Sequence, residues 1–307
     1  MLTDAIIPAR FLQPFALATI LAVMFHLGTL VSPAQIRDAW RSPALMLKAI
    51  FCSVIAVPVI VVIVARTFDL PRSAQVGMAL MAICPGAPVA LRRALGAGGE
   101  ASFAIAFQFT TAILAVVTVP AWVAALDELY AGTASVEPQH LALQVFMGQV
   151  LPLGLGVAMR GKFGPRMVAI QPWLVRLSTA LLLAFVAVAV LDVWEPIAGT
   201  RPHVALAIAV ASIAALLTGH WLGGPAESTR TALGVACAAR NTGLAMIVAI
   251  LNHASPAIMS TVIAYLAVSA LVAMDPGGPH LFIGAMLAFV VCMRHEAKID
   301  ALLDASV

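Results

Sequence analysis

Long apolar stretches alternate with short polar ones along the chain, and most have the length of a helix that crosses a bilayer, about twenty residues. The two-residue alternation of an outer-membrane barrel is absent, so the pattern predicts an all-α integral membrane protein with a single polytopic domain over residues 1–307. The nine predicted spans lie at about 11–31, 44–65, 74–100, 101–125, 141–159, 173–193, 204–222, 231–251 and 256–274. Residues 280–293 are apolar but shorter than a usual span, which leaves open a tenth span, a re-entrant piece or a surface helix.

Two of the predicted spans are interrupted. In the third span, two prolines flank Gly86 within Cys-Pro-Gly-Ala-Pro, residues 84–88, and a proline removes a backbone donor and clashes with the preceding turn. In the eighth span, Arg240 and Asn241 lie in an apolar segment, where a charge costs roughly 2.5 to 3.5 kcal/mol on insertion scales and usually marks a ligand or a pathway. The breaks lie five spans apart in segments of opposite direction, which is typical of an inverted repeat with two discontinuous helices. We expect the breaks to meet and to form the working site.

Composition supports the same class of protein. Hydrophobic residues make up 62% of the chain and charged residues 10%, against about 25% charged in soluble domains. The net charge of +3 is too small to indicate a nucleic-acid partner. Cys52, Cys84, Cys237 and Cys292 all fall in apolar segments without the spacing of a metal site or a disulfide framework. The spans contain no nucleophile–base set and no metal cluster, so we predict a protein that is not an enzyme and has no cofactor.

The basic residues predict the orientation in the membrane, because lysine and arginine are enriched in cytoplasmic loops. One set of alternate loops contains Arg37, Arg41, Lys48, Arg92, Arg93, Arg160, Lys162, Arg166 and Arg230, and the opposite set contains Arg66, Arg72, Arg201 and the acidic stretch 127–140. The first set is predicted to be cytoplasmic, which gives a multi-pass protein of the inner (plasma) membrane with its N-terminus outside. Nine spans leave the C-terminus inside and ten leave it outside; Arg294 and Lys298 favour the inside.

Three motifs give the chain a family resemblance. Met24–Gly28 is similar to a Met-Phe-x-Met-Gly motif, Cys84–Gly86 with Gly99-Glu100 downstream is similar to Cys-Pro-Gly-Gly followed by Gly-Asp, and Asn241–Ala245 is similar to the end of Gln-Asn-Ser-Gly-Leu-Ala. With these motifs in this order, the chain resembles the bile acid:sodium symporter family of secondary transporters over about residues 11–274. Some members of that family also have nine spans.

The resemblance implies a panel domain that moves against a core domain. The panel would comprise spans at about 11–31 and 141–193, and the core spans at about 44–125 and 204–274. The broken helices would cross in the core beside a cavity for an organic anion, which in such transporters ranges from bile-acid-like sterol conjugates to small carboxylates. The substrate-binding residues predicted at this cavity are Arg240, Asn241, Thr242, Pro85, Gly86, Ala87, Pro88, Gln108 and His26.

The chain departs from the family pattern where the resemblance places sodium ligands. Ala90-Leu91 replaces a Ser-Asn pair, Ala104 and Gln108 replace Ser and Thr, Ala236 replaces a glutamate, Arg240 replaces a glutamine, and Ser53 replaces a second-span glutamine. Sodium needs a cage of oxygen ligands, and no acidic residue lies inside the nine predicted spans; Glu100, Asp192 and Asp275 fall at their ends. We therefore predict that no metal binds, and that transport is independent of sodium, either as facilitated diffusion or coupled to protons.

Several residues keep more than one interpretation. Arg240 would supply the missing cation charge permanently, bind the anion bidentately, cap the C-terminal carbonyls of a half-helix, or pair with a buried acid. Arg92 and Arg93 are cytoplasmic anchors or ligands; His26 is a hydrogen-bonded core residue or a cavity group; Gln108 and Gln149 form interhelical hydrogen bonds or, for Gln108, line an ion position; His220 is an interfacial anchor. Alternatives to the sodium-independent carrier are a sodium-coupled symporter with altered ion sites and a transporter-like ligand sensor. The sequence leaves the substrate, the coupling ion, the direction of transport and the oligomeric state open.

Overall fold

The structure is a computed structural model that describes residues 9–86, 88–130, 137–192 and 202–272, and within these ranges every regular element is a helix. The elements are α1 (Ala9–Leu30), α2 (Pro33–Ala39), α3 (Pro43–Phe51), π1 (Cys52–Ala56), α4 (Val57–Thr67), α5 (Arg72–Ile83), α6 (Pro88–Gly96), α7 (Ala101–Leu129), α8 (Pro138–Val145), π2 (Phe146–Val150), α9 (Leu151–Asp192), α10 (Pro202–Leu222), α11 (Glu227–Ala238), α12 (Thr242–Leu251) and α13 (Pro256–Val272). The apolar segment 280–293 and the residues Asp275, Arg294 and Lys298 lie outside the described residues.

Within the described part of the chain, five helical stretches have the length and the apolar composition of a membrane span. They are Pro43–Thr67, Ala101–Leu129, Pro138–Phe185, Pro202–Leu222 and Glu227–Leu251. Two further apolar helices, Pro14–Leu30 and Pro256–Val272, are shorter. The chain is therefore an integral membrane protein with a helical fold, as the sequence predicted. The number of spans stays a prediction, since length and composition alone do not show which helices cross.

Two long helices each contain a π-helical turn that ends two residues before a proline. Pro58 follows π1, and Pro152 follows π2. A proline cannot donate to the carbonyl four residues earlier, and its ring crowds that carbonyl, so a wider turn relieves the clash. For Pro58 the carbonyl concerned is that of Val54, and the indole N–H of Trp122 in α7 donates to it at 2.7 Å. This contact ties α7 to the π1 turn that contains Ser53.

The bounds of two predicted loops are wrong. The acidic loop was expected from Asp127, but α7 continues to Leu129 because Leu126 packs against the core and Tyr130, four residues on, is buried and donates its backbone N–H to the Leu126 carbonyl at 2.8 Å. The basic stretch 160–166 and residues up to 172 were expected between two spans, yet they are helical within α9. The chain reverses there at Gly164 alone (φ 22°, ψ −96°), since glycine tolerates this φ and the following proline suits the first turn of a helix.

Contacts between connecting segments define two ends of the bundle. At one end, Arg160 donates to the carbonyl of Thr29 at 2.7 Å, and the backbone N–H of Glu100 donates to the carbonyl of Ser228 at 3.1 Å. We call this the basic end, because the loops in contact belong to the set predicted to be cytoplasmic. At the opposite end, Asn252 donates to the side-chain oxygen of Gln144 at 3.2 Å. The tertiary structure therefore brings together loops that are far apart in the sequence but share a charge pattern.

Glycines let α1 pack directly against α9. A Cβ added at Gly156 would lie 2.2 Å from the carbonyl oxygen of Phe25, and a Cβ added at Gly28 would lie 2.1 Å from that of Leu153. Small residues that permit backbone contact are the usual basis of helix packing in membranes, where the hydrophobic effect does not drive helices together. Beyond the Gly164 reversal, α9 returns along α1, so that the rings of Phe15 and Phe185 stack edge to face with centroids 6.1 Å apart. Helices α1 and α9 thus form one packed group, which α8 joins because it runs on into α9 through π2.

Candidate functional site

The two breaks of the sequence meet in the structure. Helix α5 ends at Ile83 and α6 begins at Pro88, while α11 ends at Ala238 and α12 begins at Thr242. The backbone N–H of Asn241 donates to the carbonyl of Cys84 at 3.0 Å, and its side-chain amide donates to the carbonyl of Gly86 at 3.0 Å. A broken helix leaves backbone groups without intrahelical partners. Each break here supplies partners for the other, which explains why they pack together.

Asn241 also caps α12. Its side-chain oxygen accepts the N–H of Leu244 at 3.1 Å, and the N–H of Thr242 donates to the carbonyl of Arg240 at 3.0 Å. The Gly243 N–H, between them in the first turn, has no acceptor among the described contacts. The Thr242 hydroxyl is buried and also lacks a partner within the described part of the chain. The start of α12 therefore offers an N–H, a hydroxyl and the positive end of a helix dipole.

We expect Asn241→Asp to destabilise the crossover. Aspartate keeps the oxygen that caps Leu244, but it loses the donor and places an acceptor against the Gly86 carbonyl, which leaves a buried group unsatisfied at a cost of about 1–3 kcal/mol. Asn252→Asp is the matched control: its amide also donates, to the Val248 carbonyl and to the Gln144 side chain, but it lies at a partly exposed helix end where water can replace these partners. Thermal unfolding in detergent should show a lower midpoint for Asn241→Asp only. Equal midpoints for the two variants would contradict the Asn241–Gly86 contact.

Arg240 is 2% exposed, and its guanidinium binds groups of the core. Nη1 donates to the Ser53 hydroxyl at 2.9 Å, while Nη2 donates to the Ser53 carbonyl at 3.0 Å and to the Ala82 carbonyl. Ala82 lies in the last turn of α5, so the geometry is that of the helix-capping role that the sequence left open. Nε has no partner in the described residues, and none of their carboxylates forms an ion pair with this arginine.

A cavity of about 70 Å³ lies between the crossover and the group formed by α1 and α9. Its lining residues come from α1, α6, α9, the second break with the start of α12, and α13: Ala16, Thr19, Ile20, Val23, Met24, Arg93, Leu182, Phe185, Ala239, Arg240, Asn241, Thr242, Gly243, Leu266 and Ser269. Most of these are apolar, and the polar ones converge near the start of α12. We call this space the crossover cavity. Sites for small organic ligands usually measure about 300–1,000 Å³, so the cavity as described admits a head group and must widen for a larger molecule.

The sequence predicted Arg93 mainly as a cytoplasmic anchor, but the structure places it on the lining of the crossover cavity. It lies on α6, is half-buried, and has no hydrogen bond, ion pair or ring contact among the described residues. Thr19, Phe185 and Ser269 were not predicted. The one signal for Thr19 is its position on the α1 face formed by Ala16, Ile20 and Val23, with the three- and four-residue spacing of a helix.

A second, larger cavity of about 330 Å³ lies toward the end opposite the basic one. Ile83 from the last turn of α5 lines it, together with Leu126 and Tyr130 of α7 and Asn252 and His253 beyond α12. Each cavity therefore lies next to the first break, the larger one through Ile83 and the crossover cavity through Asn241, which binds Cys84.

The other predicted residues that the structure describes do not line the crossover cavity. Pro85 and Gly86 are buried in the first break, and Gln108 of α7 packs beside Gly86, where a Cβ would lie 3.5 Å from its amide nitrogen. His26 is 5% exposed in the interior of α1. Ala87 lies outside the described residues, as does the side chain of Pro88. Gln149 is fully buried in π2, and its amide has no partner within the described ranges.

The residues at the sodium-ligand positions implied by the resemblance have mostly apolar side chains. Ala90 packs against Ala239 across the two breaks, and Leu91 and Ala104 are 4% and 7% exposed. Ala236 lies in α11, one turn before Arg240. Ser53 and Arg240, in contrast, bind each other directly. Two of the polar residues at these positions thus bind each other within the core instead of facing an open ion site.

The fold and the site define an integral membrane protein in which two interrupted helices meet beside a small cavity. A family model described as the Sodium Bile acid symporter family matches residues 17–199, more than half of the chain. The chain belongs to this family, as the sequence motifs indicated. It is also similar to Sodium/bile acid cotransporter 4 of Rattus norvegicus, with 25% identity over 174 residues, which cover 56% of this chain and 39% of that protein. The chain thus matches less than half the length of that relative.

Proposed function

We propose that the protein is a secondary carrier of an organic anion that works by alternating access and does not require sodium. The family supports transport, and the name of the rat relative supports a bile-acid-like anion as the substrate class. The anion would bind at the crossover cavity, where the start of α12 offers the Gly243 N–H, the unpartnered Thr242 hydroxyl and a positive dipole end. Small carboxylates are also organic anions and therefore stay within the proposed class of substrates.

The observation that carries the sodium-independent mechanism is the set of acceptors around Arg240. The Ser53 hydroxyl, the Ser53 carbonyl and the Ala82 carbonyl are all oxygens, and oxygens are the ligands that hard cations take. A guanidinium that binds these oxygens supplies positive charge permanently at a position where the resemblance places a sodium ligand. Bound sodium is then not needed to neutralise the oxygens between the crossing helices.

The packed group of α1, α8 and α9 would be the panel, and the crossover with α3–α7 and α10–α13 would be the core. The crossover cavity lies between the two groups, so a rocking motion of one against the other would widen it. The larger cavity at the opposite end would be the second half of the path. The Asn252–Gln144 hydrogen bond links α8 to the end of α12, and we propose that it closes this end until the panel moves. The basic end would be cytoplasmic and the N-terminus outside, in the plasma membrane.

Uptake into proteoliposomes tests the proposal. We expect taurocholate, cholate or benzoate to accumulate at equal rates with a sodium gradient and with potassium or choline in its place, since no cation must bind before the panel moves. Liposomes without protein control for leakage. Liposomes containing the Gly156→Ala variant, which we expect to unfold, control for the presence of inactive protein. Uptake that needs sodium would sink the sodium-independent mechanism and favour a symporter with altered ion sites. Binding without uptake would favour a ligand sensor.

A further inference from the structure

Arg93 presents a cation to the crossover cavity, and no described residue pairs with it. The residue lies three positions after Ala90 in α6, and residues three apart share a helix face. Ala90 packs against Ala239 of the second break, so this face of α6 is turned toward the crossover, and Arg93 lines the cavity beside Arg240 and Asn241. None of the described contacts supplies a partner for its guanidinium. A half-buried charge without a partner is costly, which makes an anion the fitting ligand.

The two arginines of the cavity differ in the donors that they leave unused. Nη1 and Nη2 of Arg240 already bind the oxygens of Ser53 and Ala82, and only its Nε lacks an acceptor in the described structure. Arg93 keeps its whole planar fork of N–H donors. Only that fork can receive two oxygens of one group side by side, which is the geometry of an arginine–carboxylate pair.

We propose that Arg93 binds the substrate's carboxylate bidentately and thereby selects carboxylates over neutral molecules of the same shape. This inference rests on the proposed function and names the head group of its substrate. The cavity volume of about 70 Å³ suits a head group, and the Gly243 N–H and the Thr242 hydroxyl lie on the same lining. Ile20, Val23, Phe185 and Leu266 give the apolar part of the substrate a matching surface.

Binding measurements on the full-length protein in nanodiscs test the role of Arg93. The probes are cholate and benzoate, each paired with its neutral primary amide, and the variants are Arg93→Gln and Arg93→Lys. Arg92→Gln is the matched control because it removes the same charge one residue earlier. We expect Arg93→Gln to weaken carboxylate binding by about 30-fold or more, as loss of a partly buried charge partner does, and to leave amide binding little changed. Arg93→Lys should recover part of the loss, since it restores the charge without the fork.

The outcomes separate this inference from the proposed function. If the unmodified protein binds neither carboxylate, the role of Arg93 is overturned, and the proposed function is overturned as well if taurocholate uptake also fails. If it binds a carboxylate, but Arg93→Gln weakens binding no more than Arg92→Gln does, or weakens the acid and the amide equally, only the role of Arg93 is overturned. Thermal unfolding of each variant is measured alongside, and Arg93→Gln should keep its midpoint because Arg93 has no hydrogen bond or ion pair with any described residue.

Discussion

Alanine at Gly156 is expected to unfold the protein far more readily than alanine at Gly154 in the same helix. A Cβ at Gly156 would lie 2.2 Å from the Phe25 carbonyl oxygen and 2.9 Å from the Cα of Gly28, and both obstacles are backbone. Because a backbone cannot rotate away as a side chain can, α1 and α9 must separate. We expect a loss of at least about 3 kcal/mol, at the upper end of overpacking penalties.

Gly154→Ala is the matched control, because a Cβ there meets nothing within 4 Å. It should be neutral or stabilise the helix by about 0.5–1 kcal/mol, since alanine loses less backbone entropy on folding than glycine. Unfolding midpoints in detergent or nanodiscs, measured by intrinsic fluorescence, compare the two variants. Similar midpoints would show that α1 and α9 do not pack through their backbones. Gly28→Ala should behave like Gly156→Ala, since it meets the Leu153 carbonyl at 2.1 Å.

Removal of Arg240 is expected to lower sodium-independent uptake strongly, and a carboxylate introduced nearby should restore activity only with sodium. Arg240→Gln leaves the oxygens of Ser53 and Ala82 without their cation, so we expect uptake to fall by about tenfold or more, the loss of one charged hydrogen bond or more. Adding Ala236→Glu places a carboxylate on α11 one turn away. That carboxylate and the exposed oxygens form a hard-cation ligand set. Restoration should be partial, because Ala90 and Leu91 have no side-chain oxygen to contribute.

Two measurements check the Arg240 prediction. Uptake of the double variant is compared in sodium and in choline, and its unfolding midpoint is compared in the same two salts. A ligand that binds only the folded state stabilises it, by about 2.7 kcal/mol at a hundred times its dissociation constant, so sodium should raise the midpoint of the double variant but not that of the unmodified protein. If Arg240→Gln alone keeps full uptake without sodium, the charge-replacement mechanism is wrong.

The sequence predicted the meeting of the two breaks better than the bounds of the helices around them. The prolines around Gly86 and the polar Arg240-Asn241 pair can be recognised locally, because a proline or a charge is incompatible with an ordinary membrane helix whatever surrounds it. That these two breaks meet follows from Asn241, whose backbone and side chain both bind the first break. The helix ends were less predictable. Asp127 is polar, yet it is helical because Leu126 packs against the core and Tyr130 is buried. The stretch 160–166 is also polar, yet it is helical because the chain reverses at Gly164 alone.

The roles of the two arginines could not be assigned from the sequence. The sequence predicts Arg240 as a ligand or a fixed charge and Arg93 mainly as an anchor. Hydropathy indicates how deeply a charge lies in the membrane but not which group it contacts. The structure gives Arg240 the oxygens of Ser53 and Ala82, residues more than 150 positions away, and it brings Arg93 to the cavity because Ala90 packs on Ala239.

By itself, the sequence determined that the protein is a helical membrane protein, that two of its helices are broken, and which family it resembles. These properties depend on local composition, on the incompatibility of proline and charge with a membrane helix, and on short motifs. Only the tertiary structure decided that Arg240 already has hydrogen-bond acceptors, that Arg93 lines the crossover cavity, and that α1 and α9 touch through glycines. These depend on contacts between distant segments, whose partners no local pattern specifies.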